Sequence, residues 1–185
     1  MESSRVDQKR LKIAYHETGH AVMALLCKHP IQKVSLKEMD SPGGTDKYLA
    51  FMKLESVDST SKYTGKKAIQ KIMISLGGFA SEILFYDGVT GIGGDDLTVA
   101  IKVTEDMLQI GEFKDWVNRL PTPVPSTLDN MVKNPSIRAY IDLKIGDTVR
   151  ALELHKPAIQ IIAEELFKKE ELTGEKVSSL FNSFV

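Results

Sequence analysis

The sequence predicts a mainly α domain with a small β element. Long stretches carry apolar residues at helical spacing, and only two short segments read as strands, on either side of one turn cluster. The first helix is expected over about 6–28, with Leu11, Ala14, Tyr15, Val22, Leu25 and Leu26 on its apolar stripe, and His29-Pro30 stops it. Strands are expected over 31–38 and 47–55, joined by the turn-rich 40–46 run as a hairpin or part of a small sheet. A second helix is expected over about 65–86. Gly77-Gly78 sits inside it, marking either a local kink or a turn where another backbone packs very close. A glycine-rich loop (87–94) leads to a helix over 95–110 that opens on Asp95 and Asp96. With Pro121, Pro123, Pro125 and Pro135, residues 111–135 read as an irregular insertion or a lid. Helices follow over 136–155, 158–169 and 174–181, Pro157 breaking or kinking the first of them.

Composition narrows the function. The 185 residues carry 24 basic and 25 acidic side chains, a formal net charge of −1, so there is no electrostatic footprint for nucleic acid and no polybasic membrane patch. One cysteine cannot form a disulfide framework or a cysteine-rich zinc finger. The longest unbroken apolar run, Ala21–Cys27, is too short to span a bilayer, and no membrane segment is expected. A single domain over 1–185 in a reducing compartment is the expectation, cytoplasmic or inside an organelle, and at a membrane surface only through a partner. Within it, 1–110 would hold the site, 111–135 the irregular loop and 136–185 the C-terminal helices.

His16-Glu17-Thr18-Gly19-His20 is an HExxH motif on the first helix. Residues four apart share a helical face, so both imidazoles can point at one ion, and Glu17 stands one step round, within reach of a water on it. In a chain of this composition the motif is expected by chance roughly 0.006 times. Thr18, Gly19, Ala21 and Val22 are uncharged, as a buried metal-binding helix requires. Burying two imidazoles and a carboxylate with no ion to satisfy them would be costly. Zinc suits two imidazoles, and a catalytic zinc takes three protein ligands and a water. The extended HExxHxxGxxH pattern fails at Met23 and Leu26. His29 lies just past the helix end, and His155 reads as a surface or capping residue. Glu82, Asp87, Asp95, Asp96, Glu105 and Asp106 remain as acidic candidates, and spacing does not choose among them.

The segments AYHETGHAV (14–22), HPIQKVSL (29–36), SLGGFASEILF (75–85), TGIGGDDLTVAI (90–101) and ELFKKEELTGEKV (165–177) together resemble the peptidase domain of FtsH-type ATP-dependent zinc proteases, in order from about Gln8 to Phe181. The resemblance implies that family's helical zincin fold, with zinc held by His16, His20 and Asp96 and with Glu17 as the catalytic base. Asp95 stands where the family usually has asparagine, and Phe79 where it normally has arginine. Glu82 is read as the carboxylate that takes the other ring N–H of a zinc-bound histidine.

The implied activity is zinc-dependent endopeptidase action on unfolded polypeptide segments, with the 47–55 strand as an edge for an extended substrate or as an ordinary sheet strand. The alternative is a non-proteolytic, zinc-stabilised interaction or scaffold protein associated with a larger protease complex. The 185 residues contain no GxxxxGK[ST] phosphate loop. The chain is expected to be either an excised peptidase domain whose AAA+ ATPase is a missing N-terminal module, or a stand-alone protein that borrows such an ATPase in trans; the initial methionine and the small size favour the stand-alone reading. The resemblance further implies a hexamer.

Overall fold

A computed structural model describes residues 2–37, 39–40, 47–48, 50–54, 65–86, 94–121 and 132–184. Helix α1 (Glu2–Leu26) begins before the expected start and ends in a left-handed cap. Lys28 adopts φ 60°, its N–H donates to Leu25 O and the His29 N–H donates to Ala24 O, both at 2.9 Å, which satisfies the last carbonyls of the helix. Strand β1 (Ile31–Ser35) follows, then the two-residue pair β2 (Met39–Asp40) and β3 (Lys47–Tyr48), then β4 (Phe51–Leu54). The expected hairpin partner of β1 is thus β4, paired antiparallel with Val34 opposite Met52. A third strand that sequence periodicity does not reveal, β5 (Glu171–Thr173), pairs with the other side of β1 and gives the order β4-β1-β5.

The 65–86 helix divides at Leu76 into α2 (Gly65–Ser75) and α3 (Gly77–Tyr86). By length and composition alone this run is apolar enough to cross a membrane. Its apolar character serves the interior here, because Ala68, Ile72, Ile74, Leu76 and every residue from Gly77 to Glu82 are buried. Helix α4 (Gly94–Met107) carries the two aspartates in its first turn.

The expectation of an irregular segment over 111–135 needs correction at both ends. Residues Gly111–Val117 form helix α5, whose Phe113 and Trp116 rings meet Tyr140 edge-on at 5.1 and 5.8 Å. Pro135 starts α6 (Pro135–Glu153), since the first turn of a helix needs no N–H from it. Asn134 caps that helix by accepting from the Ser136 and Ile137 N–H groups. The lid reading for 122–131, and the glycine-rich loop over 87–93, lie outside the described residues. Pro157 falls in the first turn of α7 (Lys156–Lys169), so it marks a new helix and not a kink. Thr173 caps α8 (Gly174–Asn182).

Two apolar cores result among the described residues. One joins α1, β1, α7, β5 and α8 through Ala21, Val22, Val34, Ile159, Ile162, Leu172 and Val177. The other joins α2, α4 and α6 through Ile72, Leu76, Leu97, Ala100 and Ile141.

Candidate metal centre

The helical period places His16 and His20 on one side of α1, both buried, and the first turn of α4 brings Asp96 to them. Asp96 Oδ2 lies 3.0 Å from His16 Nε2 and 3.1 Å from His20 Nε2, and the two imidazole nitrogens are 3.1 Å apart. The opposite ring nitrogens are committed elsewhere. His16 Nδ1–H donates to Glu82 Oε1 at 2.6 Å, and His20 Nδ1–H donates to the Ile74 carbonyl at 2.7 Å. Because a backbone carbonyl can only accept, Nδ1 of His20 carries the proton, and the Gly78 N–H, 3.3 Å away, is a contact and not a bond.

Those tautomers leave both Nε2 lone pairs facing a carboxylate oxygen: three acceptors converge on one point. A tetrahedral zinc with metal–nitrogen bonds of about 2.0–2.1 Å keeps its ligand atoms about 3.3–3.4 Å apart, so a shift of a few tenths of an ångström per edge admits the ion. Asp96 is partly exposed while the imidazoles are enclosed, so one side of the point stays open to solvent. The three residues form a group able to hold a metal ion, and the donor set suits a divalent ion of the zinc type.

The electrostatics point the same way. Burial works against a charge on His16, yet its hydrogen bonds to Asp96 and Glu82 and the nearby Glu17 outweigh that and push its pKa up to about 9. His20 is likewise raised, because the charge of Asp96 and its hydrogen bond overcome burial. Burial would favour a neutral Asp96, but the two imidazoles hold its carboxyl well below the usual range. Each direction reports a field that favours positive charge at the convergence point. Glu17 is buried beside them; burial raises its carboxyl pKa, and the imidazoles only partly offset this.

Close packing of α1 on α2 and α3 sets these distances. A side chain on Gly77 would place its first carbon 2.6 Å from Gly19 O, and one on Gly19 would strike Gly77 O and Ser81. Ser81 Oγ donates to Tyr15 O at 2.8 Å and ties the two helices one turn further along.

The family model for peptidase family M41 matches residues 4–120, more than half of the chain and the whole of this centre. The chain belongs to peptidase family M41. Among curated relatives, the M41 chain is 26% identical over 181 residues, 92% of its length, to the ATP-dependent zinc metalloprotease YME1 homolog of Schizosaccharomyces pombe, covering 24% of that protein. It is 26% identical over 210 residues to the ATP-dependent zinc metalloprotease FtsH of Helicobacter felis, covering 99% of the chain and 31% of that protein. To FtsH 1 of Methylacidiphilum infernorum, also an ATP-dependent zinc metalloprotease, it is 28% identical over 196 residues, covering 96% of the chain and 30% of that protein. The M41 chain thus spans about a quarter to a third of the length of these relatives.

Of the acidic candidates, the structure brings only Asp96 to the converging Nε2 nitrogens among the described residues. Asp95, beside it, is exposed. Glu82 reaches the outer nitrogen of His16 and is fully buried. Glu105 and Asp106 line an open cleft with Gln109 and Asn134, and Asp87 lies outside the described residues. His155 precedes α7 and packs against Phe181, the ring centres 5.1 Å apart and the planes tilted by 43°. Phe79 is buried in α3, an apolar position in this M41 chain. The Ile74 carbonyl is the partner that sequence reasoning misses, because a backbone acceptor has no residue signature; the double glycine after it is the nearest hint.

Proposed function

We propose that this chain is a zinc-dependent endopeptidase that cuts unfolded polypeptide segments, with His16, His20 and Asp96 holding the ion and Glu17 as general base. One observation carries the reading: Nε2 of both histidines and Oδ2 of Asp96 converge within 3.1 Å with their outer nitrogens already committed. When bound, zinc supplies Lewis-acid chemistry, polarising the scissile carbonyl and making water a nucleophile near neutral pH. Glu17 is poised to take a proton from that water and return it to the leaving amine, and its upward pKa shift moves it in the direction a base working near neutrality needs. Glu82 and the Ile74 carbonyl hold the imidazoles in the tautomer that leaves Nε2 free.

Strand β4 lies at an edge of the sheet, which suits main-chain pairing with an extended substrate segment. The relatives' names couple proteolysis to ATP. We therefore assign unfolding to an ATPase module supplied in cis or in trans, and include a ring-forming homo-oligomer and a reducing interior in the same proposal.

The test compares wild type with Glu17→Gln on casein, an unfolded substrate that needs no motor, with bound zinc measured in both. Cleavage should fall by about a hundredfold or more while zinc content stays level. Equal cleavage by the two proteins would remove Glu17 from the mechanism. No cleavage by fully zinc-loaded wild type would overturn the peptidase reading in favour of a zinc-stabilised scaffold.

A further inference from the structure

We propose that Gly78 is a positioning residue: the imidazole of His16 occupies the space that any side chain at 78 would take. An ideal first carbon built on Gly78 would lie 2.5 Å from His16 Cε1 and 2.6 Å from Cδ2, and closer still to Nε2, the nitrogen that faces Asp96. These are ring atoms locked on both sides. Nδ1 is tied to buried Glu82 and Nε2 to the convergence point, so the ring cannot swing away without breaking one of them. Gly78 thus differs from its neighbour. A side chain on Gly77 would meet the backbone of Gly19 and His20, a clash between helices, whereas the nearest atoms to one on Gly78 all belong to the imidazole.

The helix break itself has a matching role. Bonds from Leu76 N–H to Ile72 O and from Ala80 N–H to Leu76 O, both 2.9 Å, carry the chain across the junction. Between them the Ile74 carbonyl accepts from His20 Nδ1. One short segment therefore sets both imidazoles: Gly78 seats the ring of His16 and Ile74 fixes the proton of His20. A glycine kept merely as a helix residue would be improved by alanine, which stabilises a helix interior by about 1 kcal/mol. With the imidazole in place, the clash requires the opposite result.

The inference rests on the proposed zinc site for one of its readouts only. The first experiment needs no metal: thermal melts in chelator of wild type, Gly78→Ala, His16→Ala and the double variant. Gly78→Ala should lower the melting temperature by several degrees in the wild-type background and leave it level or higher in the His16→Ala background, where the ring is gone. If Gly78→Ala alone fails to fold, recovery of a folded double variant supports the proposal equally. Equal loss in both backgrounds, or two unfolded proteins, would overturn the proposal, because the glycine would then serve the backbone. The second experiment titrates zinc, and separately cobalt with its visible spectrum, into wild type and Gly78→Ala. At least tenfold weaker binding and an altered cobalt spectrum are expected, and binding within twofold with an unchanged spectrum would overturn the proposal. Wild type that takes up no metal would sink the zinc reading while leaving the melting cycle to decide the role of Gly78.

Discussion

Glu82 offers the sharpest test of how the centre is held. Its side chain is fully buried, and its Oε1 receives the His16 Nδ1 proton at 2.6 Å. In Glu82→Gln the amide oxygen can still accept that proton, so the tautomer survives while the charge that makes His16 a stronger donor to a metal is lost. Removing such an outer partner typically weakens metal binding 10–100-fold, about 1.4–2.7 kcal/mol. Glu82→Ala goes further. It leaves the His16 N–H unpaired in a place with no access to water, about 1–3 kcal/mol in addition. The series wild type, Gln, Ala should therefore step downward in zinc affinity, and in melting temperature measured with chelator. Competition against a chromophoric zinc chelator reads the affinities. Gln equal to wild type within twofold would show that the carboxylate charge does nothing for the metal. Zinc lost in Glu82→Ala but still bound tightly by Asp96→Ala would make Glu82 the ligand and refute the geometry.

Neighbouring positions make further outcomes measurable. Asp96→Asn should weaken zinc binding beyond the hundredfold upper bound for outer partners, whereas Asp95→Asn, altering an exposed side chain, should leave it within twofold by the same titration. Lys28 holds a left-handed conformation that costs a non-glycine residue about 1–2 kcal/mol, so Lys28→Gly should stabilise the fold by about 1 kcal/mol net of chain entropy, raising the melting temperature by about 2–4 °C. A fall in melting temperature would show that the Lys28 side chain makes a contribution larger than the strain.

The residues that the sequence discloses best are those whose geometry is local. HExxH on a helix puts two imidazoles on one side by period alone, and the structure keeps both in α1. The approach of Asp96 depends on how α4 meets α1, a tertiary fact, so six acids stay level until the resemblance singles one out. Gly77-Gly78 is readable as a kink or as a close approach, and both occur: the helix divides at Leu76, and Gly77 meets Gly19 across the interface. Strand β5 has three residues, too few for an alternating pattern, and exists because β1 has a free side to pair. Helix α5 is hidden by the prolines that follow it, and Pro135 reads as a breaker only until its place at the first turn of α6 is known.

The two apolar cores explain why so few residues suffice to aim the centre. His16 and His20 stand on α1, which belongs to the first core, and Asp96 on α4, which belongs to the second. The α2–α3 pair takes part in both, with Ile74 and Ala80 in the first core and Ile72 and Leu76 in the second. That same pair supplies the Ile74 carbonyl, the Glu82 carboxylate and the bare surface of Gly78. The element that fixes the spacing of the two cores thus also fixes the orientation of both imidazoles. A close-packed interior deforms little, so positions set by core packing are held more narrowly than a loop could hold them. Asp96, arriving through the first turn of α4, is the one converging group not held by this pair, and its partial exposure places the open side of the centre there. On the proposed function, a substrate carbonyl would enter from that side, and the chemistry would lie at the boundary between the cores with the histidine wall behind it.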